Sequence, residues 1–84
     1  MAASQPQVSD EHAALLRQRI DLHFPQRDMA IDPSVDYSKV GGEVQASVTV
    51  YSGLKTASGL YYLRRRDRSA GGGYYWYCQS RPGD

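Results

Sequence analysis

Between Glu43 and Tyr51 the chain alternates strictly: Val44, Ala46, Val48 and Val50 are apolar, and Gln45, Ser47, Thr49 and Tyr51 stand between them. A period of two sends successive side chains to opposite faces of an extended strand. One face is therefore aliphatic and needs a cover, while the other is free to meet water. The cover available is a single helix. Asp10 to His23 contains no Gly or Pro and few β-branched residues, and Ala13, Leu16 and Ile20, flanked by Leu15 and Leu22, make one apolar stripe at helical spacing. Arg17, Gln18 and Asp21 fall largely on the other side. Ser9 offers a capping oxygen, and Asp10 and Glu11 put negative charge in the first turn, where the helix dipole favours it. Pro25 disfavours helical geometry at Phe24, so the helix is expected to end near His23 or Phe24.

After the alternating strand, Ser52 to Gly59 reads as a hairpin loop. Leu60 to Arg66 follows as a second strand, and Asp67 to Gly73 is a loop containing three consecutive glycines. Tyr74 to Ser80 is the third strand. Pro25 to Gly42 reads as a connection, with turns at Asp32-Pro33-Ser34 and Gly41-Gly42 and scattered apolar anchors at Met29, Ile31, Val35, Tyr37 and Val40. A short strand over Asp28 to Ile31 and a single helical turn after Pro33 are both compatible with it. The expected fold class is α+β, an N-terminal helix packed on a three-stranded antiparallel meander in the order αβββ. At 84 residues there is room for one core. A disordered tail is expected over residues 1–8, one compact domain over 9–84, and a polar end at Arg81 to Asp84.

The arithmetic of rings is the next constraint. Seven tyrosines and one tryptophan cannot all fit beneath a helix of this length. The inner sets are expected to be Tyr61 with Leu63 and Trp76 with Cys78. The outer face then holds Thr49, Tyr51, Tyr62, Arg64, Arg66, Tyr75 and Tyr77, beside Gln45 and Gln79. A structural role is one explanation, since cross-strand aromatic pairs stabilise a sheet by roughly 0.2–1 kcal/mol each and arginine stems can cover rings. Recognition is the other, because Tyr, Trp and Arg dominate binding hot spots.

Little in the chain points to catalysis. His12 and His23 would lie about 16 Å apart on the helix at about 1.5 Å rise per residue, too far to share a metal or a proton. The single cysteine, Cys78, allows neither an intrachain disulfide nor a multi-cysteine zinc site and reads as a small hydrophobe. The glycine triplet lacks the lysine and helix of a phosphate loop, and the carboxylates form no paired constellation. No enzyme activity, catalytic residue, metal or cofactor is expected. No apolar run approaches the roughly 18–20 residues that cross a bilayer, and Met1 to Asp10 carries no basic or apolar leader segment. A cytoplasmic location without a membrane partner is the expectation.

Charge is uneven. Residues 1–42 carry four cationic side chains against six carboxylates, a net −2, and residues 43–84 carry six against three, a net +3. In size, near-neutral charge and lack of motif the chain resembles the small inhibitors of phages and mobile elements, anti-CRISPR proteins among them. That resemblance implies a non-enzymatic blocker that needs only a surface. The expected partner is a macromolecule, protein in preference to nucleic acid, met through Tyr51, Tyr62, Arg64, Arg66, Arg68, Tyr75 and Tyr77. The alternative is a nucleic-acid-binding module using the basic-aromatic hairpin 60–77, in which Leu60 to Arg66 and Tyr74 to Tyr77 resemble the sheet-type arm-binding domains of phage integrases. In those domains the helix follows the sheet, whereas here it precedes it. A homodimer through the edge strand Tyr74 to Ser80 is a further expectation.

Overall fold

A computed structural model describes residues 7–80, and for Ser80 only its place in the last strand. Residues 1–6 of the expected tail and the polar end 81–84 lie outside the described residues. The order is α1 (Asp10–His23), β1 (Ser34–Val40), β2 (Glu43–Ser52), β3 (Lys55–Arg65), a single 3-10 turn (Arg68–Ala70) and β4 (Tyr74–Ser80). The sheet is antiparallel with strands in chain order, β1-β2-β3-β4. The molecule is thus α+β, with four strands where three were expected.

The helix forms where its local chemistry places it. Ser9 is extended, and its hydroxyl accepts from the His12 backbone N–H at 3.1 Å. At the other end the Phe24 N–H donates to Ile20 O, and the residue before Pro25 leaves helical geometry. Leu16 and Ile20 point inward and are buried, as is Phe24 just beyond the helix.

The additional strand is β1, in the stretch expected to be a connection. Gly41 and Gly42 both have positive φ, at 58° and 84°, the conformation a two-residue hairpin turn requires and glycine adopts without strain. This turn folds Ser34–Val40 back on β2, pairing Val35 with Val48 and Tyr37 with Ala46. β3 also starts earlier than expected. A tight turn at Gly53-Leu54 sets Ser52 opposite Lys55, so Lys55–Gly59 is strand and not loop. Residues 28–31 form turns, not a strand. Their backbone is nonetheless fastened to the sheet: Asp28 N–H donates to Tyr51 O at 2.7 Å, and Ser52 Oγ donates to Gln26 O at 3.0 Å.

The core comprises Leu16, Ile20 and Phe24 from the helical side and Ala46, Val48, Val50, Tyr61 and Trp76 from the sheet. Full burial of each large apolar side chain contributes about 1.5–3 kcal/mol. One cross-strand row shows the packing logic. Tyr37, Ala46, Tyr61 and Cys78 are successive partners, and the small Ala46 gives room for large rings on either side. The Tyr37 ring thereby reaches to 6.2 Å from Trp76, centroid to centroid. α1 lies closest to β4, where the Trp76 indole N–H donates to His12 O at 2.9 Å.

Two polar groups close the end of the core. Tyr61 has no exposed surface, and its hydroxyl lies 2.7 Å from His23 Nδ1. Arg27 is buried, bonding Asp21 Oδ1 at 2.9 Å and Ile31 O at 3.2 Å, which ties the α1–β1 connection to the helix. Burial raises the Tyr37 pKa above the ordinary tyrosine value.

Candidate functional site

With α1 on one side, the opposite face of the sheet has no element of the described chain across it. Register decides what stands there. Each strand contributes alternate residues, so β2 presents Glu43, Gln45, Ser47, Thr49 and Tyr51 on the side away from Ala46, Val48 and Val50. Their partners complete the rows. Ser38, Gln45, Tyr62 and Tyr77 form one row across all four strands; beside it Val40 pairs with Glu43 and Arg64 with Tyr75, the two pairs joined by the Arg64–Glu43 ion pair into a second row.

The first row is hydrogen-bonded from Ser38 as far as Tyr62. Ser38 Oγ donates to Gln45 Oε1 at 3.1 Å, and Gln45 Nε2 donates to the Tyr62 hydroxyl oxygen at 2.8 Å. The Tyr62 hydroxyl, accepting there, keeps its own proton to donate. In the second row Arg64 Nε donates to Glu43 Oε2 at 3.1 Å. The Arg64 guanidinium carbon lies 4.2 Å from the Tyr77 ring centroid and 6.0 Å from that of Tyr62. Arg66 repeats the arrangement one step along, 5.1 Å from the Tyr75 ring. A cation within about 6 Å of a ring face is held there by the ring quadrupole.

The structure therefore brings together five of the seven residues singled out from the sequence: Tyr62, Arg64, Arg66, Tyr75 and Tyr77. Tyr51 shares the face but lies six residues along β2 from Gln45, about 20 Å at strand rise, with its hydroxyl 2.8 Å from Ser34 Oγ. Arg68 stands off the sheet, exposed in the 3-10 turn between β3 and β4. Glu43 and Ser38 belong to the cluster and were not among the seven. The signal for them was the Gly41-Gly42 turn, which fixes the register of β1 on β2.

The electrostatics of this face are close to balanced. Arg64 is matched by Glu43, and Asp36 stands in the neighbouring row opposite Ser47. Cationic groups without a carboxylate within 4.0 Å, among the described residues, include Arg65, Arg66 and Arg68. They gather at the β3–β4 turn, at one end of the face.

The histidines hold structural positions. The His12 ring packs on Tyr74 at 4.8 Å, and His23 stacks on Tyr61 at 5.6 Å. Cys78 is half-buried against the core. Among the described residues no group of three or more His, Cys, Asp and Glu could hold a metal ion, and no helix is long and apolar enough to cross a membrane. Comparison with protein-family models, with curated proteins and with solved structures gives no match.

Proposed function

We propose that this domain is a non-enzymatic protein-binding module, of the kind that inhibits by occupying a partner's surface, as small accessory proteins of phages and mobile elements do. Its contact surface is the uncovered sheet face centred on Tyr62, Arg64 and Tyr77, with Tyr75 and Arg66 beside them.

The observation that carries this reading is the pre-ordered row from Ser38 through Gln45 to Tyr62, with Arg64 fixed between Glu43 and Tyr77. Aromatic and guanidinium groups already fixed by neighbours lose less rotamer entropy when a partner covers them. Near-balanced charge favours a protein over a polyanion, because nucleic-acid affinity draws on several uncompensated cations. Nucleic acid is the second reading, and what favours it is the cluster of Arg65, Arg66 and Arg68 at the β3–β4 turn.

Edge pairing into a homodimer is a separate proposal. β4 is a sheet edge, with Trp76 at its middle 2% exposed and Tyr74 and Tyr77 exposed at 40% and 42%. Light scattering on the purified chain reads that state directly.

The test is affinity capture from source-cell lysate with the wild-type chain and the Tyr62→Ala/Tyr77→Ala variant, each with and without nuclease. One protein retained equally in both nuclease arms and lost with the variant supports the proposal. Retention unaffected by the variant, or abolished by nuclease, overturns it.

A further inference from the structure

Beside the sheet face, and sharing Arg66 and Tyr75 with its edge, a groove of about 290 Å³ runs between α1 and β4. Leu15, Arg19 and Leu22 form its helical wall, and Arg66, Tyr74 and Tyr75 form the opposite one. Three properties define what fits. Along the helix the groove offers two apolar side chains, Leu15 and Leu22, beside the polar Gln18 and Arg19, and Leu22 is 70% exposed although it sits on a helix with its own buried stripe. It carries a guanidinium on each wall and, among the described residues, no carboxylate in its lining. Its aromatic faces are already engaged: Tyr75 lies under Arg66 at 5.1 Å, Tyr74 against His12 at 4.8 Å and Arg65 at 5.6 Å, and Trp76 is sealed beneath.

We infer that this groove binds a short acidic peptide segment of a protein partner, with one or two aliphatic or aromatic side chains seated between Leu15 and Leu22 and flanking carboxylates meeting Arg19 and Arg66. Charge complementarity selects the occupant. Two opposed guanidinium groups with no counter-charge in the lining attract carboxylates, which arginine can bind through paired N–H donors. The engaged rings argue against a nucleic-acid strand, which needs open aromatic faces for base stacking. Two cations also fall short of the several phosphate contacts such a strand requires. A second copy of the chain is disfavoured as occupant, because pairing groove to groove would oppose Arg19 and Arg66 with their own kind. The volume suits two or three side chains, so the groove anchors a segment and does not enclose a domain. This inference goes beyond the sheet-face proposal: the two sites share Arg66 and Tyr75, but Leu15, Arg19 and Leu22 take no part in that face, and Tyr62 and Tyr77 take no part in the groove.

The test uses the full chain labelled with ¹⁵N and, as probe, a fluorescent ten-residue peptide of Glu and Asp with Leu and Phe at its centre. Saturable binding is expected, with amide shifts confined to residues 15–22, 66 and 74–76. Arg19→Glu is expected to weaken it by about tenfold or more. Leu22→Ser is expected to weaken it while the circular dichroism spectrum stays unchanged. Replacing the acidic residues of the probe with Lys, or Leu and Phe with Gly, is expected to abolish binding, and the Tyr62→Ala/Tyr77→Ala variant is expected to bind the probe as the wild type does. The inference is overturned if the probe fails to bind, if Arg19→Glu has no effect, if the lysine probe binds as well, or if a ten-residue oligothymidine binds more tightly. Loss of probe binding in the Tyr62→Ala/Tyr77→Ala variant also overturns it, since that outcome places the probe on the sheet face.

Discussion

Arg64 holds Tyr77 from a diagonal position across the β3–β4 pair, its guanidinium carbon 4.2 Å from the ring centroid while Nε bonds Glu43 at 3.1 Å. A residue of β3 is thus braced between a carboxylate on β2 and a ring on β4. Both members of the ion pair keep about two-fifths of their side-chain surface, so its contribution to folding is small, about 0–1 kcal/mol. Arg64→Ala is therefore expected to shift a urea midpoint only slightly. Its larger effect is on partner binding, through the loss of a contact and the loosening of Tyr77. Arg64→Lys is expected not to restore binding fully, because an ammonium cannot both stack on the ring and donate laterally as a planar guanidinium does. Equal affinity of the lysine variant and the wild type, by calorimetry, would contradict this.

Leu16 and Leu22 separate the two faces of α1. Leu16 is buried and Leu22 mostly exposed. Leu16→Ala is expected to destabilise by about 2–5 kcal/mol through lost transfer energy and the cavity left behind. Leu22→Ser is expected to change stability by no more than about 0.5 kcal/mol. Urea unfolding followed by circular dichroism compares them, and similar losses at both sites would mean that the helix packs with another face inward.

The Ser9 cap is the next local test. Its hydroxyl takes one of the orphan N–H groups of the first turn, that of His12. Ser9→Ala is expected to cost about 0.5–2 kcal/mol, and Ser9→Asp to retain most of the stability. Thermal melts of the three proteins should fall in the order wild type, Asp, Ala, with the aspartate close to the wild type.

Tyr37 links the core to pH. Burial raises its pKa above the ordinary 10.0, so the unfolded chain loses this proton first as pH rises. The folded state binds more protons across that interval, and stability falls with increasing pH from about 10 until the folded hydroxyl itself ionises. Below that range the group contributes no pH dependence. Ultraviolet titration of phenolate in the wild type and in Tyr37→Phe should differ by one hydroxyl ionising above pH 10.0. A difference appearing below it would contradict the burial of this ring.

The helix was legible because its evidence is local: a capping serine, a stripe at helical spacing and a proline beyond the end. β2 was equally clear from strict alternation. The division of rings between faces followed from volume, and Tyr61, Leu63, Trp76 and Cys78 do lie on the helix side. β1 was missed because an edge strand needs little apolar pattern. Its helix-side positions are Val35, Tyr37 and Lys39, of which two are apolar, and the exposed side is Ser, Asp, Ser and Val. The Gly41-Gly42 turn ahead of an alternating strand was the available clue. The first half of β3 escaped for a similar reason, since Lys55–Gly59 places only Ala57 and Gly59 inward, and neither stands out as strand-forming. For the surface cluster, residue type identified Tyr62, Arg64, Arg66, Tyr75 and Tyr77. Strand register, a tertiary property, separated Tyr51 from them, while the β3–β4 turn carried Arg68 off the face.

The proposal stands or falls on whether the uncovered face carries the binding energy. The most direct measurement is the affinity of the captured partner for the wild-type chain and for Tyr62→Ala/Tyr77→Ala, taken from 50 to 200 mM salt with the fold checked by circular dichroism. The expected result is a loss of about 2 kcal/mol or more in the variant, with a shallow salt dependence for the wild type. Wild-type affinity in the folded variant, or a fall of about a thousandfold across that salt range, would contradict it and point to the arginines of the β3–β4 turn engaging a polyanion.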